Sequence, residues 1–275
     1  MKNTICALCL CLFVLQLHAQ RKPRIKGNRN VTEVRVDLPP FNAVLLEDDL
    51  EINLEKGTNE GYVIEADDNL FDVLKLEVVD STLQISSFYK ITSKKKLNIT
   101  IYYNYLEGIE MRAGEMSMQD VISTPQLYVR TFGTARLELN ATADLININM
   151  EDISSGDFNV ASDSLTLTLK DRIDVKVYAT GASQDLYMYE NASAKLEGTT
   201  GFLMAKLYGD SNLKAELMEA QRAVLIAEDS PNVRMQVLNE FELSSRGASK
   251  TSLYGNPKIT ILDFLDTSQL HKENN

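Results

Sequence analysis

The chain has 275 residues, 39 acidic against 28 basic, and a formal charge of −11. An acidic protein repels phosphate backbones and anionic headgroups, so nucleic acid and bare membrane are poor partners. Histidine occurs only at His18 and His271, and cysteine only at Cys6, Cys9 and Cys11. Ser–His and Cys–His nucleophile pairs and His/Cys zinc or haem sites therefore cannot be assembled in the body of the protein.

Residues 1–19 have the pattern of a cleaved export signal. Lys2 gives a positive start, Ile5 to Leu17 is apolar, and Leu17-His18-Ala19 ends the run as a small-residue cleavage site does. Cleavage would remove all three cysteines. Stability then rests on the core and the strand ladders rather than on disulfides, and the exported chain has no apolar segment for direct membrane insertion. Residues 20–32 follow as a basic leader, Arg21-Lys22-Pro23-Arg24-Ile25-Lys26-Gly27-Asn28-Arg29 within it, expected to be solvated and mobile.

From Glu33 to about Tyr103 longer strands are separated by clear turns. Val34-Arg35-Val36-Asp37-Leu38 alternates up to Pro39-Pro40, and Leu50-Glu51-Ile52-Asn53-Leu54 alternates up to Lys56-Gly57. Leu76-Glu77-Val78-Val79 and Leu83-Gln84-Ile85 read as a hairpin across Asp80-Ser81-Thr82. Lys94-Lys95-Lys96 precedes Leu97-Asn98-Ile99-Thr100-Ile101 and marks an exposed edge or loop.

From Leu106 to Ile261 short alternating strands recur about every ten residues. Examples are Leu165-Thr166-Leu167-Thr168-Leu169, Ile173-Asp174-Val175-Lys176-Val177 and Leu213-Lys214-Ala215-Glu216-Leu217. The turns Asn191-Ala192-Ser193, Gly209-Asp210-Ser211, Asp229-Ser230-Pro231 and Gly247-Ala248-Ser249 are small and polar. They imply a unit of roughly twenty residues holding two strands. Asp152 and Asp171 fit that spacing with poorer turn residues, while Gly181-Ala182-Ser183 falls out of phase. Each segment has one apolar face, which a ribbon of this kind buries by stacking turn upon turn. The expected fold is all-β, a right-handed β-helix-like solenoid; an antiparallel β-sandwich, which also places strands every 8–12 residues, is the alternative.

The order of segments resembles a known family. Phe41-Asn42-Ala43-Val44 leads to Leu50-Glu51-Ile52-Asn53-Leu54-Glu55-Lys56-Gly57. Then come Val63-Ile64-Glu65-Ala66-Asp67-Asp68-Asn69-Leu70, Leu97-Asn98-Ile99-Thr100-Ile101-Tyr102 and Leu106-Glu107-Gly108-Ile109. Together with the signal this is similar to the bacterial putative auto-transporter adhesin head domain, or GIN domain, a domain of unknown function frequent in Bacteroidetes. The resemblance implies one domain over 33–262, with N-terminal strands at 33–105, a repetitive β-helical part at 106–262 and a polar tail at 263–275. It also implies a secreted or surface-exposed protein, and it transfers no catalytic residues. The chain departs from the family at Tyr105, where members often have proline, and at Ala113-Gly114, where they carry Ser-Gly-rich coils.

Function is then expected to be non-enzymatic: an adhesin-like binding protein of the periplasm, outer surface or extracellular space. No catalytic, cofactor-binding or metal residues are assigned. Its partner is an envelope protein or a glycan, with a homo-oligomer left open. The alternative is a polysaccharide lyase or hydrolase on a β-helix, which needs converging acids and basic residues to meet an acidic sugar. The acidic clusters are Glu47-Asp48-Asp49 and Asp67-Asp68-Asn69, both read as structural turn residues. The available cations, Lys170, Arg172, Lys176, Lys195 and Lys206, are scattered along the chain. Aromatic platforms for sugars would come from Tyr102, Tyr103 and Tyr105, or from Tyr178, Tyr187 and Tyr189, although a half-buried strand role suits tyrosine equally.

Overall fold

The protein is described by a computed structural model over residues 22–273. The export signal expected at 1–19 lies outside the described residues. Parallel coils stack into a β-solenoid of about nine turns. The parallel pairing of successive coils excludes the sandwich, whose neighbouring strands run antiparallel.

Two principal flanks build the solenoid. Flank A stacks segments such as Leu145–Met150, Ser164–Leu169, Ser183–Met188 and Phe202–Leu207. Flank B stacks Arg136–Asn140, Ser155–Asn159, Asp174–Tyr178 and Ser193–Glu197. A short third side, beginning at Ala141, Val160 and Ala179, joins B to A. Each coil is therefore one long bent strand, as in Arg136–Met150 and Ser155–Leu169, rather than two separate ones. Most coils are nineteen residues long, since Ser155 pairs with Asp174 and Asp174 with Ser193.

The phase of the coil is set at one corner. Gly114, Gly133, Asp152, Asp171, Glu190, Gly209, Asp229, Gly247 and Asp266 all adopt positive φ there. Glycine takes this conformation without penalty and aspartate tolerates it better than most residues. Aspartate adds a second contribution. The carboxylates of Asp152, Asp171, Asp229 and Asp266 accept the backbone amides of Gly133, Asp152, Gly209 and Gly247, one coil earlier, at 2.8, 3.3, 3.2 and 3.0 Å. Asp152 and Asp171 are thus full members of the turn column. Gly181 belongs to the third side, in register with Ser162 and Thr200, which is why it looked out of phase.

Inside, alternate residues form columns of buried side chains. Leu139, Phe158 and Val177 occupy one column, and Leu167, Leu186 and Ala205 another, all at most 3 % exposed. The sequence alternation is this inward and outward pattern.

The first rungs are threaded out of chain order. Thr82–Ser87 and Leu97–Tyr103 form the first coil, Ala43–Leu46 and Glu51–Lys56 come next, and Gly108–Met111 and Glu115–Met118 follow. Coils thus begin before residue 106. The predicted hairpin is present, Leu74–Val79 pairing antiparallel with Thr82–Ser87 around positive-φ Asp80 and Ser81. Leu97–Tyr103 is an interior strand, not an edge: it pairs with both Glu51–Lys56 and Gly61–Asp67. The antiparallel strands Gly61–Asp67 and Leu74–Val79 close this end, with Val31–Asp37 paired outside Gly61–Asp67.

The opposite end is open. Lys258–Phe264 and Gln269–Lys272 form the last rung, within and beside the segment read from sequence as a polar tail. Ile259 and Ile261 continue the columns of buried Phe241 and Leu243, yet are 40 % and 50 % exposed, with no further coil over them among the described residues.

Candidate functional site: the outer flanks

The two acidic clusters fasten the N-terminal segment. Asp48 accepts Lys22 Nζ at 2.5 Å and the Ser87 amide at 2.8 Å, while Glu47 faces Arg112 at 3.5 Å. Asp68 accepts the side-chain amides of Asn28 and Asn30, and Asn69 accepts the Asn28 amide at 2.9 Å. The sequence predicts that both clusters bond their own turns; these contacts instead reach across the fold to distant segments. The described part of the basic leader, from Lys22 on, is tied to the body, with Arg24–Lys26 paired to Lys90–Ser93.

Asp67 is the buried centre of this clasp. Burial alone would raise its pKa, but the amides of Lys95, Arg29 and Lys96 donate to it and hold the carboxyl below its ordinary value. A depressed folded-state pKa contributes stability that is present above the unfolded value and lost as pH falls through the folded one. Acidification from about pH 6 to about pH 3 should therefore loosen the clasp, with faster hydrogen exchange at the Arg29, Lys95 and Lys96 amides after correction for intrinsic rates. Asp67→Asn should start from the loosened state and lose most of this dependence. Unchanged protection of those amides across the range would refute the assignment.

The tyrosines do not form one platform. Tyr103 is buried, and desolvation, with a smaller push from Asp120, raises its pKa to about 12. Tyr102 stacks under Arg35, and Tyr105 donates to Glu107 at 2.6 Å. Tyr189 stacks on Tyr208 of the next coil at 5.3 Å, with Tyr187 beneath Lys206, all on or beside flank A. Tyr178 stands apart from them on flank B, half exposed.

The predicted cations divide in the same way. Lys170 binds Glu151 at 2.8 Å, and Arg172 lies at the aspartate corner. Lys206 points out of flank A over Tyr187. Lys176 and Lys195, however, are direct neighbours on flank B, and the register extends their column to Lys214 and Arg234. Four cations thus occupy four consecutive rungs, all exposed. Strand spacing puts the rungs about 4.8 Å apart, so the column spans about 14 Å.

Two of the four have acidic partners: Lys195 with Glu197 at 2.5 Å and Arg234 with Glu216 at 4.0 Å. The Glu197 hydrogen bond holds Lys195 above its ordinary pKa, which keeps it charged. Lys176 and Lys214 make no ion pair among the described residues. Small polar side chains flank the column. Ser155, Asp174, Ser193, Asn212 and Asn232 run along one side, and Asn140, Asn159, Tyr178 and Glu197 along the other. Leu217, 57 % exposed, continues the second side after Glu197.

Sequence reasoning missed Lys214 and Arg234, although positions 176, 195, 214 and 234 recur at the coil period. Among the described residues no cluster of three His, Cys, Asp or Glu side chains could hold a metal ion, and no helix is long and apolar enough to cross a membrane.

Stacked parallel coils with long outward-facing flanks define the chain as a β-solenoid whose outer side chains are arranged in ladders. Residues 40–159 match the model of the family described as Putative auto-transporter adhesin, head GIN domain. The fold also resembles solved structures. One is a putative adhesin from Parabacteroides distasonis ATCC 8503, with TM-score 0.67 and 12 % identity, covering 90 % of this chain and 100 % of that one. A putative adhesin from Parabacteroides merdae ATCC 43184 gives TM-score 0.62 and 12 % identity, covering 91 % and 100 %. A putative lipid binding protein from Parabacteroides distasonis ATCC 8503 gives 0.58 and 17 %, covering 91 % and 98 %. At these identities the likeness is one of fold. No curated protein matches the chain.

Proposed function

We propose that this chain is an exported, non-enzymatic binding protein of the cell envelope or its surroundings, adhesin-like, acting through the outer flanks of its solenoid. One observation carries the reading: flank B presents four like charges on adjacent rungs in a protein that is otherwise acidic. Like charges facing each other across strands are destabilising; Glu197 and Glu216 offset Lys195 and Arg234, while Lys176 and Lys214 make no ion pair among the described residues and stand open to an anionic ligand. The adhesin description of the matched family agrees with this reading, as does the signal pattern of residues 1–19.

The purified protein should capture a ligand in a screen of glycans and envelope proteins. It should release neither reducing ends nor unsaturated products from a panel of polysaccharides. Turnover of any polysaccharide, or silence across the whole binding screen, would overturn the proposal.

A further inference from the structure

We infer that the column Lys176, Lys195, Lys214 and Arg234 is a binding strip for a linear polysaccharide carrying carboxylates, laid along the solenoid axis. The inference rests on the binding reading above and names its ligand class. Three features of the flank lead to it.

The first is charge and its spacing. The cations recur at the strand interval of about 4.8 Å along a straight line, which suits an extended chain of regularly spaced anions. Duplex DNA presents its phosphates at 3.4 Å per strand along a curved path, and the acidic body repels so dense a polyanion.

The second is the identity of the cations. Three of the four are lysine, a compact point charge on a flexible stem that meets an anion without the fixed fork of arginine, which suits carboxylates whose orientation varies along a sugar chain.

The third is the neighbourhood. Asn159 and Tyr178 on one side, with Ser193 and Asn212 on the other, supply amides and hydroxyls beside the charges, in columns that also hold the carboxylates of Asp174 and of Glu197, the latter taken up by Lys195. Such groups recognise the hydroxyls of a sugar chain and have no use on a bare polyphosphate. The exposed ring of Tyr178 adds an apolar surface for a sugar face.

The strip also has a defined end. The column continues past Lys176 to Asp157 and Glu138, which repel a polyanion, so the chain is engaged over the four cationic rungs only.

The test measures binding of the purified protein to polygalacturonate by calorimetry, at low and at physiological salt. The same polymer fully methyl-esterified, an inorganic polyphosphate and anionic phosphatidylglycerol vesicles serve as comparison ligands. Polygalacturonate should bind, more weakly as salt rises, and the neutral ester should not. The double variant Lys195→Glu, Lys214→Glu should weaken binding by at least about tenfold. Lys75→Glu, Lys258→Glu, at charges away from the strip, should leave it unchanged. Thermal unfolding shows that each variant is folded; if the reversal pair fails to fold, Lys176→Gln, Lys214→Gln replaces it, with weaker binding again expected. Binding untouched by the strip variants overturns the inference while leaving the binding reading intact. Equal or tighter binding of polyphosphate or vesicles overturns the carboxylated sugar. Absence of binding to all four probes overturns the inference, whereas the binding reading fails only if the broad screen is silent too.

Discussion

Phe158→Ala is expected to lower the unfolding free energy by about 3–5 kcal/mol. Phe158 is fully buried in mid-solenoid, in register with Leu139 on one rung and Val177 on the next. Its ring lies over Gly156, where an added Cβ would come within 2.4 Å of the ring. The glycine leaves the notch that the ring fills, so truncation opens a cavity that neighbouring side chains cannot fill without moving the coils. Each coil contacts only its neighbours, so damage to one central coil weakens the coupling between the two halves of the stack. Urea unfolding followed by circular dichroism measures the loss. A change below about 1 kcal/mol would mean that the core at this rung is loosely packed.

Gly198→Val should be comparably damaging, for a different reason. Gly198 has φ of +116°, a conformation that residues with a Cβ rarely adopt, and its added Cβ would lie 2.1 Å from the Ala179 carbonyl oxygen. The backbone conformation alone costs about 1–3 kcal/mol, and the clash forces adjacent rungs apart. The position is special because the register shifts between Lys195 and Glu197, where the following coil takes in one extra residue. Hydrogen exchange should show lost protection concentrated in Ser193–Leu207 and the coil after it, with a lower melting temperature. A variant that melts with the parent and keeps those amides protected would remove the strain from the account.

Both substitutions act on the architecture, and the strip on flank B depends on that architecture without being part of its core. A charge reversal at Lys195 should alter binding and leave melting nearly unchanged, whereas Phe158→Ala should affect binding only as far as it unfolds the protein.

Much of the fold was legible in the residues. The alternation in segments such as Leu165–Leu169 required strands with one buried face, and the small polar corners required tight, recurring turns. Segment order from Phe41 to Ile109 carried the family resemblance. Less visible was the coil length, because Gly209, Asp229 and Gly247 bound two irregular coils, of 20 and 18 residues, whereas the regular interval of 19 runs through Asp152, Asp171 and Glu190. Glycine suits a left-handed turn better than these acidic residues, and the carboxylates of Asp152 and Asp171 add an amide hydrogen bond from the coil before that no single turn reveals. The N-terminal threading was also hidden: the place of Thr82–Ser87 outside Ala43–Leu46 follows from pairing between distant segments.

The chain by itself determined that it forms β-structure and that alternate residues are buried. Those properties reside in single residues and their immediate neighbours. Only the tertiary structure decided which exposed side chains stand next to one another. Lys176, Lys195, Lys214 and Arg234 are far apart in sequence, and a change of one residue in coil length would turn a side chain from one face to the other. Adjacency on a solenoid flank is a property of register, fixed when the coils stack.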